Sequence, residues 1–199
     1  MPGKYTVSIS LASRDGIKDL AGPVQFNVVP LNNTTIPVGN REELVAFQKQ
    51  AFEILREVKG TESLLQEMMK WVIDIKYAIN ITPAVPVEFM NKAENISKEL
   101  EKLNLKFNRD SNRPSPEENP PSPLTFNERL NILAYTHNRS TSNITRNERN
   151  AYSALVSEFP PVLERIKSIY NVDLKNLESD LEKYNAPWTP GRIPDVKLK

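Results

Sequence analysis

Eleven positions between Leu44 and Ile79 constrain this chain more than any other feature. Leu44, Phe47, Ala51, Ile54, Val58, Thr61, Leu65, Met68, Val72, Ile75 and Ile79 step by threes and fours without a slip. A seam of that period belongs to an amphipathic helix packed along its whole length. Asn40, with Glu43 three residues on, supplies the N-terminal cap. Gly60-Thr61 invites a break, because glycine ends helices and threonine starts them. Two separate helices would have no reason to keep one phase across the gap, and an interior glycine costs only about 1 kcal/mol. The seam therefore predicts one helix over 41–80, roughly 58 Å long at 1.5 Å per residue.

Ile81-Thr82-Pro83-Ala84-Val85-Pro86 stops it, since a residue before proline is pushed out of the α region. A second helix is expected over 86–104, with Met90, Ala93, Ile96, Leu100 and Leu103 on one face. The stretch 105–124 is rich in Pro and Asn and reads as a long surface loop. Thr125 with Glu128, and Thr145 with Glu148, are capping boxes that open a third helix over 126–138 and a fourth from 146. In the fourth, Tyr152, Leu155, Phe159, Val162, Ile166, Ile169, Leu174, Leu177, Leu181 and Tyr184 continue a seam through Pro160-Pro161. The persisting phase predicts a kink there in place of a break. The span 146–184 then matches the first helix in length, so the two long helices are expected side by side and antiparallel.

Ahead of the helices stand two strands with no sheet to belong to. Tyr5, Val7, Ile9 and Leu11 alternate with Lys4, Thr6, Ser8 and Ser10, and Val24, Phe26 and Val28 repeat the pattern. Arg14-Asp15-Gly16 supplies the turn and Ala21-Gly22-Pro23 a bulge. A lone hairpin is marginal in water. The fold class is thus α+β, mostly α. It is an elongated antiparallel bundle of about four helices, two of them long, preceded by a β-hairpin. The hairpin occupies 1–31, a connector 32–39, the bundle 40–185 with its loop at 105–124, and an extended tail 186–199.

The chemistry-bearing residues are few. Lys and Arg number 26 against 25 Asp and Glu, which leaves no clustered basic face for nucleic acid. No apolar run approaches the roughly 20 residues of a membrane span, and strand-like residues at the start leave no room for a signal peptide. Met1 before Pro-Gly-Lys-Tyr reads as a start codon added to an excised domain. Cysteine is absent, which removes thiolate nucleophiles and cysteine metal sites. Six N-x-Ser/Thr sequons start at Asn32, Asn33, Asn80, Asn95, Asn138 and Asn143, and in a chain with 20 Asn they read as coincidence. His137, the single histidine, reads as a surface residue at a helix end. Glu42/Glu43, Glu117/Glu118 and the set Glu178, Asp180 and Glu182 read as solvated helix charge, because adjacent carboxylates do not face each other across a cleft. Met68, Met69, Trp71 and Met90 lie at helical spacing, as core residues do. No catalytic, cofactor or metal residue emerges. Trp188, Tyr184 and Trp71 are the candidate contact set for a ligand or partner, although Trp188 also suits an anchor for the tail.

Several stretches together carry a resemblance: Pro2-Gly3-Lys4-Tyr5-Thr6-Val7, the strand from Pro23 to Leu31, Phe47-Gln48, Ala151-Tyr152, Glu158-Phe159-Pro160-Pro161-Val162-Leu163, and Ala186-Pro187-Trp188-Thr189-Pro190-Gly191-Arg192-Ile193-Pro194. The chain resembles the C-terminal region of bacterial sortilin-like, BNR-repeat β-propeller proteins, often labelled glycosyl hydrolases. The resemblance implies a hairpin left over from an immunoglobulin- or fibronectin-like sandwich, upstream propeller and sandwich domains as partners, and an exported protein. Any carbohydrate activity would then sit on the propeller, and no catalytic residue carries over. The expected function is that of a non-catalytic structural or protein-interaction domain, with a homodimer as one possible assembly. The alternatives are an accessory carbohydrate- or peptide-binding module and an enzyme of glycoside-hydrolase type, the latter supported by no residue.

Overall fold

The computed structural model describes residues 2–31, 39–110, 122–137 and 141–192. It is mostly helical, with an antiparallel hairpin ahead of the helices, β1 (Gly3–Ser13) and β2 (Gly16–Val28). Helix α1 (Arg41–Asn80) runs through Gly60 without interruption, and all eleven seam positions are buried. A Cβ on Gly60 would meet nothing within 4 Å, so this glycine faces open space and the seam alone holds the helix together. The side chain of Asn40 accepts from the amides of Glu42 and Glu43 at 3.0 and 3.1 Å. Helix α2 (Val87–Phe107) extends three residues beyond its expected end because Phe107 is fully buried and anchors the last turn. Helix α3 (Phe126–His137) and helix α4 (Arg146–Ser168) both open on their capping boxes.

Pro160 and Pro161 lie inside α4, which passes through them. The departure from α geometry comes further on, as a π-turn over Ile169–Leu174 that leads directly into α5 (Lys175–Glu182). Its cause is visible in the seam: every step there is three or four except the five between Ile169 and Leu174. A π-turn, with its wider i→i+5 spacing, absorbs the extra residue and returns Leu174, Leu177 and Leu181 to the core.

The direction of the long helices corrects the expectation. Phe47 packs on Tyr152 and Glu43 pairs with Arg149 near the two N-termini, while Trp71 meets Tyr170 and Glu178 further along both. The two long rods are therefore parallel. Between them the chain returns once, through α2 and α3 in succession. Lys76–Glu94 and Gln66–Asn104 contacts run α2 antiparallel to α1, and the Phe107 and Phe126 rings, 5.2 Å apart, join the end of α2 to the start of α3. Helix α3 thus continues in the direction of α2, and this is what turns the expected antiparallel pair of long helices into a parallel one. Arms consecutive in the chain are antiparallel, and the first and third, packed on the return arm and on each other, point the same way.

The seams meet in one core that contains Val58, Leu65, Met68, Val72, Ile75, Leu100, Leu155, Ile166 and Leu181, all essentially inaccessible. Met68 is fully buried, and Met69 and Met90 pack against the same core. No described helix is long and apolar enough to cross a membrane.

Candidate functional site

The hairpin stands apart from this packing. Its register runs from Gly3 opposite Val28 to Ser13 opposite Gly16, closed by Arg14-Asp15. Two irregularities interrupt β2, one at Gly22-Pro23 and one at Leu20, where β2 carries an extra residue against β1. Gly22 has φ +100°, and a Cβ there would lie 2.7 Å from the Val7 carbonyl oxygen, so only glycine fits. Directly opposed residues share a face. Tyr5, Val7, Ile9 and Leu11 therefore form one surface with Val28, Phe26 and Val24, and the Tyr5 and Phe26 rings stack at 6.0 Å. Lys4, Thr6 and Ser10 lie on the other face with Asn27, Gln25 and Asp19, and Ser10 donates to Asp19 at 2.6 Å.

Every residue of both strands is exposed. Among the described residues no helix covers the apolar face, on which Phe26 is 47% and Ile9 59% accessible. A contiguous exposed apolar surface of this kind is uncommon on a protein that stays monomeric in water.

The second arrangement lies where the tail meets the bundle. Trp71 Nε1 donates to Glu178 Oε1 at 2.5 Å, the Thr189 hydroxyl donates to the same oxygen, and Arg192 Nε pairs with Glu178 Oε2 at 2.6 Å. Both members of that ion pair are buried. Arg192 also reaches Glu182, the carbonyls of Ala186 and Pro187, and the face of Trp188. Gly191 lies so close to the Trp71 indole that a Cβ would fall 1.7 Å from Cζ2. Glu178 is thus not solvated helix charge. It turns inward because it sits four residues after Leu174 and three before Leu181, on the flank of the seam, and that spacing was its signal in the sequence. Its Oε1 accepts from two of the chain's own donors and its Oε2 lies in ion-pair contact with Arg192, so the cluster fastens the tail.

Trp71 is buried, Tyr184 is half-buried with its ring edge-on to Phe89, and Trp188 is exposed. The three contact candidates do not form one exposed platform. His137 ends α3, and its side chain, like Glu117 and Glu118, lies outside the described residues, as do the sequons at Asn32, Asn33 and Asn138. Asn143 accepts from the Gly39 amide at 2.8 Å.

Two further polar groups brace the bundle. Glu62 accepts from Lys59, Asn108 and Asn127 at 2.8–2.9 Å, which ties α1 to both halves of the return arm. Burial pushes its carboxyl up, but the three donors and the Lys59 charge outweigh that and hold it below the ordinary value. Arg165 grips both oxygens of Glu99 at 2.6 Å and reaches Asp173 in the π-turn at 3.2 Å. The bidentate bonds lower Glu99 against the opposing effect of burial, and they raise Arg165. No group of three or more metal-ligating side chains occurs among the described residues. In the comparisons with known proteins, no family model, curated protein or solved structure matches this chain.

Proposed function

We propose that the chain is a structural or protein-interaction domain without catalysis of its own, in which the helical body carries the hairpin as a docking element. The observation that carries this reading is the exposed apolar face of Tyr5, Val7, Ile9, Leu11, Val24, Phe26 and Val28 beside a bundle whose own seams are closed. A two-stranded sheet gains independent stability when a further layer covers its apolar side. The polar groups drawn together elsewhere bind one another: Glu178 holds the tail, and Glu62 and Arg165 hold helices. A ligand module built on Trp71, Tyr184 and Trp188 has less support, because Trp71 is enclosed.

The reading is tested with an apolar dye such as anilinonaphthalene sulfonate at about 1 µM protein, where self-association with a dissociation constant of about 10 µM or weaker is largely dissociated. Dye emission is expected to rise with the wild-type chain and to fall several-fold in a Val7→Lys/Phe26→Lys double variant of unchanged helicity. Hairpin amides as slow to exchange as those of α1 in the dilute chain, with no dye response, would overturn it.

A further inference from the structure

We infer that the apolar face of the hairpin is a self-association surface, covered by the same face of a second copy to give a two-layer, four-stranded β-sandwich. The inference rests on the docking function proposed above and names its partner.

Area is the first argument. Taking each residue's exposure, the seven residues offer about 600 Å² per copy, or about 1,200 Å² in all when fully covered, which meets the lower edge of the range of specific, stable interfaces. The second is charge. Along the register Lys18, opposite Leu11 at the turn end, is the one charged residue on this face. Stacking the face on itself therefore brings no row of like charges together, whereas the reverse side carries Lys4 and Asp19.

Shape supplies the third. The two rings, Tyr5 and Phe26, sit at the open end of the hairpin, and Ile9 and Leu11 sit toward the turn. A two-fold axis lying across the strands near Val7 and Val24 places the rings of one copy over the aliphatic end of the other. Sheets stacked this way lie about 10 Å apart with side chains interdigitated. Each residue contact then occurs twice, as in any isologous dimer. Edge-to-edge pairing of the same hairpins would leave the apolar face open, so it does not meet the need that the exposed face creates.

The test is sedimentation equilibrium of the full chain from about 1 µM to about 1 mM, with helicity followed by circular dichroism. A concentration-dependent dimer is expected. Phe26→Lys should weaken it at least tenfold, and so should Val24→Thr, which keeps the β-branched shape while placing a hydroxyl in the interface. Thr6→Lys, on the reverse face, should leave the dissociation constant unchanged. A wild-type chain that stays monomeric throughout overturns the second copy as partner. If its hairpin still binds the dye, the docking function stands and another occupant is indicated, such as the upstream sandwich that the sequence resemblance implies. A dimer indifferent to both Phe26→Lys and Val24→Thr also overturns the proposal, because its interface then lies elsewhere.

Discussion

The hairpin and the helical body are patterned equally well for their own secondary structures, yet one leaves its apolar side open and the other closes it. In α1 every third or fourth side chain meets a partner from α2, α3 or α4, and eleven seam positions are buried. In β1 every second side chain is apolar, and all eleven residues of the strand are exposed. The contrast separates two properties that are often run together. Periodicity decides which element forms and which face is apolar, while burial depends on whether a complementary face is within reach.

The comparison is broken most severely by removing a ring from the closed side. Phe159→Ala empties a site where Phe159 stacks edge-on against Phe126, itself stacked on Phe107. Urea denaturation followed by circular dichroism should show a loss of about 3–5 kcal/mol. Glu178→Ala comes next. It leaves Arg192 buried without its carboxylate and should cost about 3 kcal/mol, with a red shift in tryptophan emission as the tail releases Trp71. Gly60→Ala acts in the opposite direction. With open space around the new methyl group, it should stabilise the body by roughly 1 kcal/mol in the same assay.

Acid should destabilise the body. Glu62, Glu99, Glu128 and Asp180 are all held below their ordinary values in the folded chain. For Glu128 burial pushes upward, and bonds from Arg109 and Thr125 prevail over it; for Asp180 the bond from Lys183 leads. A carboxyl depressed on folding contributes its stability above the unfolded value and loses it as pH falls through the folded one. The denaturation midpoint should hold down to about pH 4.5 and drop below it, with a shallower drop in Glu62→Gln. The smallest effect belongs to the open side. Val7→Ala in the dilute chain should change the stability of the helical body by less than about 0.5 kcal/mol. A larger change would mean that the hairpin and the bundle fold as one unit.

Much of the body was legible because its signals are local. Asn40, Thr125 and Thr145 with their glutamates marked three helix starts, and the unbroken phase of α1 carried it through Gly60. The π-turn was also present in the sequence, as one step of five between Ile169 and Leu174, although the two prolines drew attention to the wrong place. Glu178 was misread because charge outweighed position: a carboxylate flanking a seam is as much a core candidate as a surface one until its partners are known. Those partners, Trp71 and Arg192, are 107 and 14 residues away, beyond any periodicity.

The sequence by itself determined the elements: a hairpin with a turn at Arg14-Asp15 and a bulge at Gly22-Pro23, a 40-residue helix, and capped helices after it. Side-chain period, cap chemistry and glycine geometry act over a few residues, so they can be read along the chain. Only the tertiary structure decided that α2 and α3 form one return arm, that the long helices are consequently parallel, and that Glu178 faces inward. It also decided that the helices close over one another and leave the hairpin uncovered. Each of these depends on which distant surface fits, and that fit is a property of the packed set of helices, not of any one stretch of sequence.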